Sequence, residues 1–470
     1  MKYFREFSLQ DKLDFIKETY LADERPWLIL WSSGKDSSTT LQLCFQALIQ
    51  LKEEGQKLHK KVYVVTADTG VENPLIINRA NNILKRIDNK AKDLNLPIVT
   101  KTVKRKLEDS FWVKLIGKGY APPKQKLRWC TDRLKIKPSN EFVRNKVSEK
   151  GEVVIILGVR KGESNSRDRV LEKNNVERKG FKKHNTLKNA YVFTPIEDFS
   201  LKDVWYYLIS LTGTSPYDTN NHKLYKLYKD SSSECPMTMN NDQASCGNSR
   251  WGCWVCTLIK EDKSLTGFLK TGHKWLKPLL KFRNYLYEIR DNHSYRDPYR
   301  RTINKEIVYK LNKNGKDKLG PGGLNLETRK NILKKLLKTE KKVKDNLDYP
   351  LITKEELELI RSHWIRKGDI TDSVPKIYKN IYNKPLHSRV DENYLFDSEE
   401  EKNLKKECWN NEVNPELIKR MITIVSENIF NDDNQLVKEE LKNILNFDWP
   451  YIESIEKLKE IQGVEINENV

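Results

Sequence analysis

Two groups of residues in the 470-residue chain have types and spacing suited to chemistry. The first is Ser32-Ser33-Gly34-Lys35-Asp36-Ser37. It follows a short apolar run and opens a helical pattern. A turn in that position aims backbone N–H groups and a helix N-terminus at one spot, which favours an anion, phosphate above all. Gly34 is expected to let the backbone come close, and the serine hydroxyls add donors. Asp36 brings negative charge, which suits a metal ion bridging it to a polyphosphate. The second group is Cys235, Cys246, Cys253 and Cys256, four thiolates within 22 residues, ending in the tight pair of CWVC. With no histidine nearby, this spacing reads as an all-cysteine, four-ligand site for zinc or a [4Fe–4S] cluster.

Three further stretches are candidates. Asp68-Thr69-Gly70-Val71-Glu72 ends a second apolar run and places a carboxylate where a metal ion or a ribose could be held. Arg160, Lys161 and Arg167 follow a fourth such run, and cations there suit a polyphosphate leaving group. Cys130 stands in Lys126-Leu127-Arg128-Trp129-Cys130-Thr131-Asp132-Arg133. Basic neighbours lower a thiol's pKa, so Cys130 is expected to be a nucleophile or sulfur carrier. Cys44 reads as core.

The elements that must position these residues are legible as alternating patterns. Trp27–Trp31, Val62–Ala67, Leu96–Val103 and Glu152–Val159 are short apolar runs fit for buried parallel strands. Helical patterns cover 9–20, 39–53 and 74–95. The alternation predicts an α/β fold, an open, mostly parallel sheet covered by helices, with ligands at the carboxyl ends of its strands. Beyond about residue 200 the strand signal fades. A helical cysteine-cluster region and an α-rich C-terminal part follow. The expected division is 1–230, 231–345 and 346–470. The last of these carries no readable motif.

Composition bounds the function. Hydrophobic residues are 37% and charged residues 32%, yet 11 Trp, 20 Tyr and 14 Phe argue for a packed core. No apolar run reaches the roughly 18 residues of a membrane helix, so no membrane partner is expected. The charged start has no signal-peptide pattern, and an odd count of seven cysteines, four of them crowded into 235–256, argues against a disulfide framework. A cytoplasmic protein is expected. The net charge of +20 suits a nucleic-acid partner. The basic helix at 328–344 and Arg296–Arg301 are candidate contacts, and a solvated or docking role serves them equally well.

Ser32–Ser37 resembles the SGGxDS loop of the PP-loop ATP pyrophosphatases, with Ser33 where glycine is usual. Asp68–Glu72 resembles the DTGxE element of the phosphoadenylyl-sulfate reductase branch. Gly158–Ser164 with Arg167 and Arg169 resembles its GxRxxES..R element, and Thr194–Asp198 with Asp203-Val204-Trp205 its packing segment. The resemblance spans roughly residues 25–260. It implies an adenine nucleotide alpha-hydrolase-like fold, with ATP and Mg²⁺ as cofactors and ATP cleaved between its α and β phosphates. Within this superfamily, RWCTDRLKIKP (128–138), the four-cysteine spacing and GPGGLNLETRKNIL (320–333) resemble the DndC-type sulfurtransferases of DNA phosphorothioation, a restriction-modification chemistry.

That second resemblance implies a [4Fe–4S] cluster on Cys235, Cys246, Cys253 and Cys256, with zinc as the alternative. It implies DNA, a cysteine desulfurase as sulfur donor and other Dnd proteins as partners. Asp36, Lys35, Cys130 and Arg160 are then the expected catalytic residues. Ser32, Ser33, Gly34, Lys35, Asp36, Ser37, Asp68, Arg160, Lys161 and Arg167 would bind the nucleotide. A phosphoadenylyl-sulfate reductase, a tRNA thiolase and a non-catalytic scaffold are the other readings. The first is disfavoured because the tail, ending EINENV, lacks those enzymes' cysteine motif near ECGxH.

Overall fold

The computed structural model describes residues 8–162, 181–232, 252–297, 309–311, 317–319, 322–386, 396–427, 434–447 and 449. Arg167, Cys235 and Cys246 lie outside the described residues. The chain forms two units. One comprises residues 1–106 and 128–280, the other 107–127 and 281–470.

The first unit is built on a sheet. Helix α1 (Leu9–Leu21) starts at a reciprocal cap between Ser8 and Asp11. Then come β1 (Trp27–Leu30), α2 (Lys35–Glu53), β2 (Val62–Asp68), α3 (Pro74–Asp93) and β3 (Ile98–Lys104). Next are α4 (Lys137–Lys150), β4 (Val153–Leu157), β5 (Lys182–Lys183) and β6 (Ala190–Phe193). Helices α5 (Leu201–Trp205), α6 (Asn221–Ser232) and α7 (Lys263–Lys270) follow, and α8 (Lys277–Ile289) starts in this unit and continues as part of the second. The strand order is β3-β2-β1-β4-β6-β5, parallel except for the short β5. This is the open, mostly parallel sheet that the alternation predicts. Strands β5 and β6 were not among the expected ones. AYVF is only four residues long, and β5 only two, too short for a pattern to declare itself.

Both faces of the sheet are covered, which explains the continuous apolar runs. Trp27, Ile29, Val62, Val64, Val154 and Ile156 pack into one core with α1, α2 and α3. Leu28, Tyr63, Val65, Val153 and Ile155 pack into a second core with Val143 of α4. Alternate residues of each strand thus serve opposite faces. Cys44 of α2 is buried in the first core.

Strand β1 sits between β2 and β4. The chain goes from β1 outward through β2 to β3, then returns to β1's other side as β4. The order therefore reverses between β1 and β4, where open α/β sheets form a crevice at their carboxyl edge. Helix α2 begins at Lys35, four residues before its periodic pattern, so Lys35 and Asp36 belong to its first turn.

The second unit is helical. A two-stranded pair, β7 (Tyr309–Leu311) and β8 (Asp317–Leu319), precedes α9 (Leu326–Val343), α10 (Lys354–Ile365) and α11 (Ser373–Tyr382). Helices α12 (Ser398–Asn410), α13 (Pro415–Glu427) and α14 (Asn434–Leu445) follow. The segment 107–127 is pinned among them. Trp112 Nε1 donates to the Leu351 carbonyl at 2.6 Å, and Trp364 Nε1 to that of Ile116 at 2.8 Å. The basic helix of the sequence is α9. One of its faces is core, with Ile332, Leu333, Leu336 and Leu337 buried. Arg329 is buried too, donating to the Gly117 carbonyl at 2.9 Å, and Lys330 pairs with Asp369 at 3.2 Å. Its open cations are those of the opposite face, such as Lys334 and Lys338. No described helix is long and apolar enough to cross a membrane.

Candidate functional site

The phosphate loop is a closed set of hydrogen bonds. The Ser32 amide donates to Ser37 Oγ at 3.2 Å, the two hydroxyls lie 3.1 Å apart, and Ser37 Oγ donates to the Gly34 carbonyl at 3.2 Å. The Lys35 amide, at the helix N-terminus, donates to the Tyr228 hydroxyl at 3.1 Å. Trp31 Nε1 donates to Ser38 Oγ at 3.3 Å.

Asp36 is the electrostatic centre. Its Oδ2 accepts from Lys35 Nζ at 2.9 Å and its Oδ1 from Arg160 Nε at 2.6 Å. All three side chains are largely buried. Burial works to raise the Asp36 pKa, but Lys35 and Arg160 hold it below the ordinary carboxylate range. Burial likewise opposes charge on Lys35, while Tyr228 and Asp36 keep its pKa above the usual value. The carboxylate is thus matched by two cations. An anion arriving here would compete with Asp36 for them, and a metal ion at Asp36 would have to displace one.

The position in the loop that requires special backbone is Ser33, not Gly34. Gly34 has ordinary extended angles, and a Cβ there would meet its neighbours at 3.5 Å, a normal contact. Ser33 has φ +64°, the left-handed region that favours glycine. The usual glycine is therefore a backbone requirement, which this chain meets with serine. Arg79 of α3 holds it, its Nη1 donating to Ser33 Oγ at 2.8 Å and to the Ser33 carbonyl at 3.3 Å. The close approach expected of Gly34 belongs to Gly158, where a Cβ would lie 2.8 Å from the Asp36 backbone. That contact seats the end of β4 against the loop and brings Arg160 to Asp36.

Lys161 turns elsewhere, with its amide on the Glu197 carbonyl at 2.8 Å and its ammonium 3.5 Å from the Glu197 carboxylate. Asp68, at the end of β2, accepts from the Gly70 amide at 2.8 Å and lies 3.6 Å from Arg105. Gly70 has φ +71°, and a Cβ there would strike the Arg105 guanidinium.

The same β2 loop holds the cysteine segment. Glu72 and Cys253 form an antiparallel bridge, and the Trp254 amide donates to the Val71 carbonyl at 3.0 Å. Thr69 Oγ1 lies 3.6 Å from Cys253 Sγ and donates to Glu72 at 2.5 Å. Cys130 joins this group. It interacts electrostatically with Cys256 and Cys253. Lys135 faces all three thiols, and Cys253 foremost raises its pKa. Sequence spacing had set Cys130 apart from the cluster, and Lys135 carried no signal at all.

The expected activation of Cys130 by its basic neighbours is not what the geometry gives. Burial, then Cys256, pushes its pKa up, opposed by hydrogen bonding from Thr131. Cys253 is pushed up to about 12 by burial, with Lys135 opposing. Among the described residues, no group of three or more His, Cys, Asp or Glu side chains is arranged to hold a metal ion. Arg79 and Tyr228 were also missed. Only folding shows which helix face or strand end meets the loop.

Residues 26–258 match the phosphoadenosine phosphosulfate reductase domain family. The chain is also similar to an uncharacterized protein of Methanocaldococcus jannaschii, 26% identical over 276 residues. That match takes in 58% of this chain and 45% of the other, so the chain spans less than half the length of this relative. Two solved structures are similar at a TM-score of 0.28. One is a phosphoadenylyl-sulfate reductase from Candida auris in a phosphate complex, 14% identical, covering 48% of this chain and 89% of that one. The other is an NAD⁺ synthetase from Burkholderia pseudomallei, 16% identical, covering 46% and 82%. Likeness this remote says nothing of what the chain acts on.

Proposed function

We propose that this chain, with its phosphoadenosine phosphosulfate reductase-type domain at residues 26–258, is an ATP pyrophosphatase that activates a backbone phosphate of DNA for sulfur insertion. The observation that carries the reading is the junction of Asp36 with Lys35 and Arg160 where the strand order reverses, one loop from the Cys253 segment. ATP lies with its phosphates against Ser32–Ser37. A DNA phosphate oxygen attacks the α-phosphorus, the bond to the bridging oxygen breaks, and pyrophosphate leaves. Lys35 and Arg160 meet the charge that builds on that leaving group. Asp68, less encumbered than Asp36, is the carboxylate for Mg²⁺. The outer sulfur of a protein persulfide then attacks the adenylylated DNA phosphorus, AMP departs with the former phosphate oxygen, and a second thiol takes the inner sulfur as a disulfide, leaving the outer sulfur on phosphorus.

The donor set of the cysteine segment suits a soft ion or a cluster. Cys253 and Cys256, with Cys235 and Cys246, are the residues to hold zinc or [4Fe–4S], and such a group supplies a soft site for sulfur. Cys130, beside that pair, is placed to receive sulfur from a cysteine desulfurase. Other Dnd proteins would present the DNA.

The test supplies ATP, Mg²⁺, DNA, cysteine and a desulfurase, then digests the DNA for mass spectrometry. Dinucleotides with one oxygen replaced by sulfur, formed only with this chain, are expected. Pyrophosphate release with no sulfur in DNA would remove DNA as acceptor. The domain match itself favours a second reading, reduction of phosphoadenylyl sulfate. Sulfite release from that compound without ATP consumption would establish it.

A further inference from the structure

A groove of about 520 Å³ lies in the first unit between α3 and α6, with His273 also in its lining. Each helix presents one face to it at the spacing i, i+3, i+4, i+7. On α3 these positions are Arg79, Asn82, Ile83 and Arg86. On α6 they are Lys223, Lys226, Leu227 and Asp230. A surface helix normally turns an apolar stripe of this spacing toward a partner element. Here the two stripes are cationic around a strip of Ile83 and Leu227.

Arg79, Arg86, Lys223 and Lys226 form no ion pair among the described residues. Arg79 is the telling one. Burial lowers its pKa, only tyrosines oppose this, and its hydrogen bonds go to neutral atoms of Ser33. A guanidinium desolvated without a carboxylate is poised for an anion. Of the two acids in the groove, Asp218 is already held by Lys90 at 3.0 Å, and its carbonyl accepts from Arg86 at 2.9 Å. Asp230 ends the basic run on α6.

The helices run in opposite directions. Arg86 and Lys90 meet Asp218 just before α6, while Arg79 reaches the phosphate loop that Tyr228 of α6 also touches. The groove therefore leads to the loop. From Arg79 to Arg86 the helix rises about 10 Å, roughly three nucleotide steps of a nucleic-acid strand. A cavity of this size takes a segment of one strand, not a duplex.

We infer that this groove is the track along which a single nucleic-acid strand approaches the phosphate loop, its phosphodiesters held by Arg86, Lys223 and Lys226 and led inward by Arg79. The identity of the strand as acceptor rests on the function proposed above; the binding itself does not.

The test is fluorescence anisotropy of a labelled 16-nucleotide DNA strand with the full chain, without ATP, over a range of salt. Arg86→Glu/Lys223→Glu/Lys226→Glu is expected to weaken binding at least tenfold and to reduce the salt slope by about 2. Background hydrolysis of ATP to AMP and pyrophosphate, with water in place of the acceptor, should be unchanged, which also reports that the fold is intact. Lys334→Glu/Lys338→Glu/Lys342→Glu, on the open face of α9, is expected to leave both slope and affinity near the original. Should the triple reversal misfold, Lys223→Gln/Lys226→Gln is expected to give a smaller loss in the same direction. Binding that survives reversal in the groove but is lost by reversal on α9 would overturn the proposal. So would a strand that does not bind, with inorganic pyrophosphate binding to the groove instead. A strand bound in the groove yet never modified would leave the track standing and remove the acceptor.

Discussion

The phosphate loop and the cysteine site belong to the same unit and are assembled in opposite ways. The loop is almost entirely local. Six consecutive residues turn the chain from β1 into α2, and from elsewhere come Arg160, Arg79, Tyr228 and the close approach of Gly158. The cysteine site is built from three distant segments, with Cys130 and Lys135 before β4, Thr69 and Glu72 after β2, and Cys253 and Cys256 beyond α6. Their electrostatics differ as well. Asp36 is buried with its counter-ions in contact, so its charge is held. Burial pushes the Cys130 and Cys253 thiols up, with Lys135 opposing at Cys253, so those two protons are held. The first region is charged and ready for an anion. The second becomes a thiolate site only when something more strongly attracting than Lys135 arrives, as a soft metal ion does.

The sharpest way to break this contrast is to remove the loop's charges. Asp36→Ala or Arg160→Ala should lower pyrophosphate release at least 100-fold, about 2.7 kcal/mol of transition-state stabilisation. Rates within threefold of the original would show that the junction is structural only. Next in size is the separation of the two regions. Cys253→Ser/Cys256→Ser should abolish bound metal, read by elemental analysis, while ATP cleavage stays within about threefold. A matching collapse of ATP cleavage would mean that the two regions are one catalytic centre.

A smaller effect concerns the loop's backbone. Arg79→Met should destabilise the first unit by about 1–3 kcal/mol through the lost charge-assisted bonds to Ser33. Ser33→Gly in that background should recover part of this, because glycine takes φ +64° without strain. Urea denaturation of the four variants measures it, and strict additivity would sever Arg79 from the strain.

The smallest effect is set by pH and contrasts Asp36 with Asp297 of the second unit. Burial, with Glu416 nearby, pushes Asp297 up to about 6 despite Arg329, Lys367 and Arg420. A raised carboxyl costs stability when ionised, so its contribution improves as pH falls from above 6 toward the unfolded value near 4. Asp36 runs the other way, since its lowered pKa contributes stability above the ordinary carboxylate range and loses it as pH falls below. Asp297→Asn should therefore flatten the change in melting temperature between pH 7 and pH 5. An unaltered pH profile would show that Asp297 is not the group responsible.

What was legible follows the same division. Strands β1, β2 and β4 announced themselves because both faces of each are largely buried, and Asp36 with its loop stood at the end of one. Arg160 was legible because it stands at the end of another. Its partner was not, since 124 residues separate it from Asp36. Ser33 looked like a harmless replacement for glycine, yet its left-handed backbone and its bonds to Arg79 exist only once α3 is in place. Cys130 misled for a related reason. Burial governs its proton foremost, and Cys256 arrives from the distant cysteine segment to add to it.

The measurement closest to the central claim is the product ratio from ATP labelled at the α-phosphorus and incubated with the full chain, Mg²⁺, DNA, cysteine and a desulfurase. The loop chemistry predicts AMP and an equal quantity of pyrophosphate, both lost in Asp36→Ala. ADP with inorganic phosphate would contradict it.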